Sequence, residues 1–212
     1  AFIESKKNTK IYTEIKNLPN KFLLFPLNMP YDEQLTLRAP GFKNNNKSIE
    51  YILENISSDC GLVIKEHPVN PGMMNYTDLL KFKNQYSNFY VISPSIPLRD
   101  VLFQSKGLVT INSTAGLESL IVNKNVLALG MGYYKDLESV YTIDSKPIKE
   151  ILDEISSGQN IVQSDEIDHL LEKILNQTYP APNLYPDKIL DVDVAMNDAL
   201  CFKINQIIKF RG

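Results

Sequence analysis

Leu108-Val109-Thr110-Ile111, then a helix-type stretch over 114–122, then Val126-Leu127-Ala128-Leu129-Gly130, is the passage that decides the fold. Short apolar runs rich in branched residues on either side of a helical segment spell a strand, a crossover helix and a parallel strand. Toward the N-terminus the same grammar recurs. Strands are expected at 21–27, 61–66 and 89–92, with helices at 48–56, 76–85 and 98–104 between them. Each run is bounded by Gly, Pro, Asn or Ser and lacks apolar–polar alternation, so both of its faces must be covered. The expected fold class is α/β, a parallel sheet with helices on both faces. After residue 146 the pattern turns helical, over 147–157, 164–176 and, beyond a Pro-rich passage at 178–186, over 192–210.

Composition excludes several functions. The chain has 212 residues, 43% of them hydrophobic and 22% charged, which fits an ordinary globular protein rather than a disordered or fibrous one. Its 22 basic and 25 acidic residues leave a formal charge of −3, so no positive field collects nucleic acid or anionic lipid. The longest apolar runs, such as 22–27, fall far short of the ~20 residues that span a bilayer. No basic segment leading into an apolar run and a cleavage site marks the N-terminus, and cytoplasmic residence is the expectation, with peripheral attachment at the inner membrane left open. Cys60 and Cys201 read as buried, reduced thiols. Two histidines and two dispersed cysteines form no transition-metal constellation, so no metal and no cofactor is expected.

In a sheet of this type, ligands bind beyond the carboxyl ends of the strands. Three stretches there carry candidate chemistry. In the first, Thr110-Ile111-Asn112-Ser113-Thr114-Ala115-Gly116-Leu117-Glu118, a strand passes through small hydroxyl residues straight into a helix. Unpaired first-turn amides and the helix dipole suit a phosphate there, with Ser113 and Thr114 adding hydroxyls and Gly116 admitting close approach. The plainer reading is that Ser113 caps the helix. Glu118, one turn beyond Thr114, either meets ribose hydroxyls on the same face or is a solvated carboxylate.

The second stretch is Val63-Ile64-Lys65-Glu66-His67-Pro68, in which strand alternation puts Lys65 and His67 on one side and Pro68 ends the strand. His67 can donate to phosphate, or it is structural. His169 reads as a surface residue. The third runs from Phe25-Pro26-Leu27-Asn28 through Asp32-Glu33-Gln34, where a Pro-bounded loop carries adjacent carboxylates able to work at a sugar's anomeric carbon, unless Asp32 simply caps the turn. Arg38, Arg99 and Arg211 are the sole arginines, so backbone donors must carry much of any anion recognition. Gly130-Met131-Gly132-Tyr133-Tyr134 is too loose for a dinucleotide fingerprint, and NAD binding is not expected.

Taken in order, Phe25-Pro26-Leu27-Asn28 through Asp32, Lys65-Glu66-His67-Pro68, Ile111 through Glu118, and Leu129-Gly130 with Tyr133 resemble the capsule polysaccharide biosynthesis family, which includes bacterial Kdo transferases. The His-Pro and Ser-Thr pairs also resemble the CMP-binding motifs of sialyltransferases with the glycosyltransferase B fold. The resemblance implies a Rossmann-like domain over 1–180 that binds a nucleotide sugar, with a C-terminal loop and helix over 181–212 packing on it or on a partner domain.

It further implies transfer from a CMP-activated sugar, with CMP-Kdo foremost, to a glycan or glycolipid acceptor of capsular or surface polysaccharide. By the same resemblance Asp32 and His67 are catalytic. Lys65, His67, Pro68, Ser113, Thr114, Ala115, Gly116 and Glu118 hold the donor. A complete enzyme of that fold needs two such domains, so a missing N-terminal domain or other capsule-assembly proteins are the implied partners. The alternative is a non-catalytic nucleotide-sugar-binding or assembly module of a capsule apparatus. A 2-epimerase acting on a UDP-sugar is a third reading.

Overall fold

A computed structural model describes residues 11–29, 37–39, 41–42, 44–67, 72, 74–159, 162 and 164–177. Asp32, Pro68, Cys201, the helix expected over 192–210 and the domain boundary expected at 180 lie outside the described residues.

Six strands, β1 (Phe22–Pro26), β2 (Gly61–Lys65), β3 (Phe89–Ile92), β4 (Gly107–Thr110), β5 (Val126–Ala128) and β6 (Val140–Thr142), form one sheet. All neighbours are parallel, in the order β3-β2-β1-β4-β5-β6, the Rossmann-like arrangement. The helices are α1 (Asn45–Asn55), α2 (Tyr76–Gln85), α3 (Leu98–Leu102), α4 (Thr114–Ile121), α5 (Ile148–Ser157) and α6 (Ser164–Gln177). Compact units divide between Gln163 and Ser164, and α6 belongs to the second.

Burial explains why the strands read as unbroken apolar runs. Alternate residues Leu23, Phe25, Leu62, Ile64, Val109 and Leu127 join one core with Ile49 and Ile52 of α1 and Ile151 and Ile155 of α5. Their neighbours Phe22, Leu24, Val63, Leu108 and Val126 are just as buried, and α4 packs on β4 and β5. At roughly 1.5–3 kcal/mol for each fully buried large side chain, this double coverage is the main force holding the central strands. Local signals set the helix ends. Asn44 Oδ1 accepts the Lys47 amide at 2.8 Å to start α1, and Gly158, at φ 73°, closes α5 in the left-handed conformation.

The series does not close at β5, as the sequence suggested. β6 adds a sixth strand through the register Val126↔Val140 and Leu127↔Tyr141. On the opposite edge, Thr13 donates its amide to the Val91 carbonyl at 2.6 Å, so the segment before β1 lies against β3. Among the described residues no helix is long and apolar enough to cross a membrane.

Candidate functional site

Strand order reverses between β1 and β4, which pair through Leu23↔Gly107 and Leu24↔Leu108. Crossover connections leave in opposite directions from this point, so a cleft opens beyond the carboxyl ends of these strands. Described residues of all three stretches line it: Pro26 and Leu27, Lys65 to His67, and Ser113, Thr114, Ala115 and Glu118.

At the end of β2, Lys65 and His67 line the same cleft, with Glu66 between them. Lys65 is 5% exposed, and its ammonium donates to the carbonyls of Pro94 at 3.1 Å and Glu66 at 3.4 Å. Burial holds its pKa below that of an ordinary lysine, with the Glu66 charge opposing. Sequence reasoning gave Glu66 no role. Its fully buried carboxylate accepts the Tyr12 hydroxyl at 2.8 Å and the amides of Gly72 at 3.3 Å and Met74 at 3.1 Å. Gly72 and Met74 are thus tied back to the end of β2. A carboxylate at the end of an otherwise apolar strand was the signal for such an anchor.

A pH dependence follows from this anchor. Burial first, then the hydrogen bond to Glu66 and its charge, push the Tyr12 phenol far above its ordinary value of 10. The unfolded chain therefore gives up the phenolic proton first, and the stabilisation is complete below about pH 10 and drains away above it. In urea titrations, the stability difference between wild type and Tyr12→Phe is expected to be flat from pH 7 to about 9.5 and to shrink by pH 11. A difference that grows with pH would contradict the contact.

At the start of α4, Ser113 occupies the N-cap position but makes no side-chain cap. Its hydroxyl pairs with Thr110 Oγ1 at 2.9 Å, and its amide donates to the same oxygen at 3.1 Å. The simple capping reading is therefore replaced by a Thr110–Ser113 turn. The Gly116 amide returns to the Ser113 carbonyl at 3.0 Å. That leaves the amides of Thr114 and Ala115 in the first turn without a helical acceptor.

Gly116 requires a correction. The space beyond its α-carbon does not admit a ligand, because Tyr134 fills it. A Cβ there would lie 2.7 Å from Tyr134 Cε2 and nearer still to Cζ and the hydroxyl oxygen. Tyr134 is fully buried, and its hydroxyl donates to the Ser113 carbonyl at 2.6 Å. Burial raises its pKa, which keeps the phenol a donor. The wedge fixes the α4 start from behind, while exposed Thr114 and Glu118 line the cleft in front.

The cleft has two lobes, of about 370 Å³ and about 300 Å³, that share Leu27, His67, Ser113 and Thr114. The first extends over Pro94, Ile96, Pro97 and Glu118. The second extends over Asn28, Arg38, Asn112 and Tyr133. Among the described residues, no group of three or more His, Cys, Asp or Glu is placed to hold a metal ion. His169 is exposed on α6, and Cys60 is a buried free thiol whose pKa burial pushes up to about 11, so it is chemically quiet.

A six-stranded parallel sheet with a cleft at its switch point places the chain among Rossmann-like α/β proteins. Within that class it belongs to the capsule polysaccharide biosynthesis protein family, whose model matches residues 2–175. The capsule polysaccharide modification protein LipB of Neisseria meningitidis is 31% identical over 122 residues, which cover 54% of this chain and 29% of LipB. The capsule polysaccharide export protein KpsS of Escherichia coli is 38% identical over 79 residues, covering 34% and 20% respectively. The solved structure of KpsC, a β-Kdo 2,7 transferase of Thermosulfurimonas dismutans, aligns with a TM-score of 0.48 at 18% identity, over 83% of this chain and 62% of that one. The matched stretches span less than a third of these curated relatives' length.

Proposed function

We propose that the cleft binds a CMP-activated sugar, CMP-Kdo foremost, and that the chain is the donor-binding part of a glycosyltransferase B type enzyme of capsular or surface polysaccharide synthesis. The observation that carries this reading is the wall common to both lobes, where His67 from the end of β2 faces the same space as Ser113 and Thr114 at the start of α4. A phosphate diester there meets an imidazole, two first-turn amides and the positive end of a helix dipole. Glu118, on the next turn, is placed to accept ribose hydroxyl protons. Family membership and the relatives' names, for capsule polysaccharide modification and export, support the setting.

Transfer needs the glycosyl–oxygen bond to break as an acceptor hydroxyl attacks the anomeric carbon. Negative charge then grows on the CMP phosphate, where preorganised donors lower the barrier most. His67 and the Thr114 and Ala115 amides do this. Asp32 takes the acceptor proton or steadies the anomeric carbon. The acceptor side comes from a second domain or from other proteins of capsule assembly, and the chain acts in the cytoplasm.

Titration calorimetry with CMP and UDP, beside a transfer assay with CMP-Kdo and a set of glycan acceptors, tests the reading. Preferential binding of CMP is expected. Binding without turnover, even after a complementary domain is supplied, would reassign the chain as a non-catalytic assembly module. A preference for UDP would move it to UDP-sugar chemistry.

A further inference from the structure

We propose that Lys65 is a positioning residue, whose ammonium fastens the loop after β3 so that this loop stands as one wall of the first lobe. The inference rests on the nucleotide reading above and replaces the direct donor contact expected of this lysine.

Burial and reach decide where the ammonium goes. Lys65 is the last residue of β2 and pairs in register with Ile92, the last residue of β3. Its carbonyl accepts the Leu27 amide at 2.9 Å, so the side chain starts from a fixed point in the sheet. Two of the three ammonium protons then go to the carbonyls of Pro94 at 3.1 Å and Glu66 at 3.4 Å. With 5% of the residue exposed, the charge is spent on the protein's own backbone rather than offered to a ligand. A cation held out of water is tolerable only when it is hydrogen-bonded in this way.

The loop that it reaches is stiff within itself. Ile96 donates its amide to the Ser93 carbonyl at 3.1 Å, closing a turn with Pro94 at its second position. The Ser93 and Ser95 hydroxyls pair at 2.7 Å across the same turn. Pro94 and Pro97 have no amide with which to join the sheet. A tether on the Pro94 carbonyl therefore places the turn as a unit, and Pro94, Ser95, Ile96 and Pro97 all line the first lobe.

Glu66 makes the end of β2 a double anchor. Lys65 reaches across to the loop after β3, while Glu66 holds Gly72 and Met74 of the segment after β2. The two opposite charges are adjacent and buried, so each makes the other's burial less costly.

Calorimetry on the full chain with CMP, cytidine and inorganic phosphate tests the assignment, for wild type, Lys65→Met and Lys65→Arg, with thermal melts to confirm folding. Methionine keeps an apolar stem without a donor, whereas arginine keeps donors. With the phosphate on the shared wall and ribose at Glu118, the nucleoside lies along the first lobe. Lys65→Met is therefore expected to weaken CMP and cytidine by the same factor, roughly tenfold for one lost charged hydrogen bond, and to leave phosphate within about twofold. Lys65→Arg should restore most of the loss. Methyl NMR supplies a readout that needs no ligand: the Ile96 methyl should become more mobile in Lys65→Met and recover in Lys65→Arg, while the Ile64 methyl is unchanged.

Wild type alone gives a further check. In a proton–nitrogen spectrum of lysine ammonium groups, the Lys65 signal should exchange slowly at neutral pH and stay in place when phosphate is added. A Lys65 signal that moves with phosphate, or a Lys65→Met loss shared by phosphate, would make the lysine a direct ligand and overturn the clamp. Unchanged cytidine binding with an unchanged Ile96 methyl overturns it as well. Failure of wild type to bind CMP, with the Ile96 methyl still loosened in Lys65→Met, overturns the nucleotide reading and leaves the clamp standing.

Discussion

Gly116→Ala is expected to lower the melting temperature by roughly 6–12 °C, through a loss of about 3 kcal/mol from overpacking and a broken buried hydrogen bond. The added methyl collides with the ring of Tyr134, which is fully buried. Moving the ring also pulls its hydroxyl off the Ser113 carbonyl, so the start of α4 loosens with it. Nucleotide affinity should therefore fall together with stability, although Gly116 does not line the cleft. Calorimetric scanning checks the first effect. The double variant Gly116→Ala with Tyr134→Leu should recover part of the loss, since the two residues share one cavity and cannot behave additively. A single variant that melts within about 2 °C of wild type would mean that Tyr134 does not occupy this space.

His67→Ala is expected to weaken CMP binding roughly 10- to 100-fold, the range for a hydrogen bond to a charged group. Any transferase activity of the assembled enzyme should fall further, by about 10²–10³, because the charge on the departing phosphate grows during bond breaking. Ser113→Ala should cost less. Its hydroxyl is already shared with Thr110 Oγ1, and the amides of Thr114 and Ala115 survive the substitution. Both variants should melt near the wild-type temperature, since His67 and Ser113 are only partly buried at the cleft. Unchanged CMP affinity in both would remove the phosphate assignment.

The sheet was legible because its physics is local. Five of the strands are continuous runs of apolar residues between turn formers, and each crossover helix follows at the expected distance. β6 escaped notice because three residues, Val140, Tyr141 and Thr142, are too few to show a period. Lys65, His67, Thr114 and Glu118 were marked by their place after the strand ends, and the cleft gathers all four. What could not be read was pairing across long separations. Nothing in the sequence shows that Tyr134 fills the space over Gly116 or that Thr110 takes the Ser113 hydroxyl away from capping. Such matches depend on loops that meet only after the sheet has formed, whereas residue patterns report on neighbours within a turn or two.

The strap formed by Tyr12 and Thr13 has a consequence for how the protein is made. Both leave the ribosome before β1, but their acceptors, Glu66 and the Val91 carbonyl, are synthesised 54 and 78 positions later. At roughly 5–20 residues per second, several seconds pass in which the earliest described residues have nowhere to dock. The stretch that emerges early is fastened late, and its last partner arrives only when β3 has been translated.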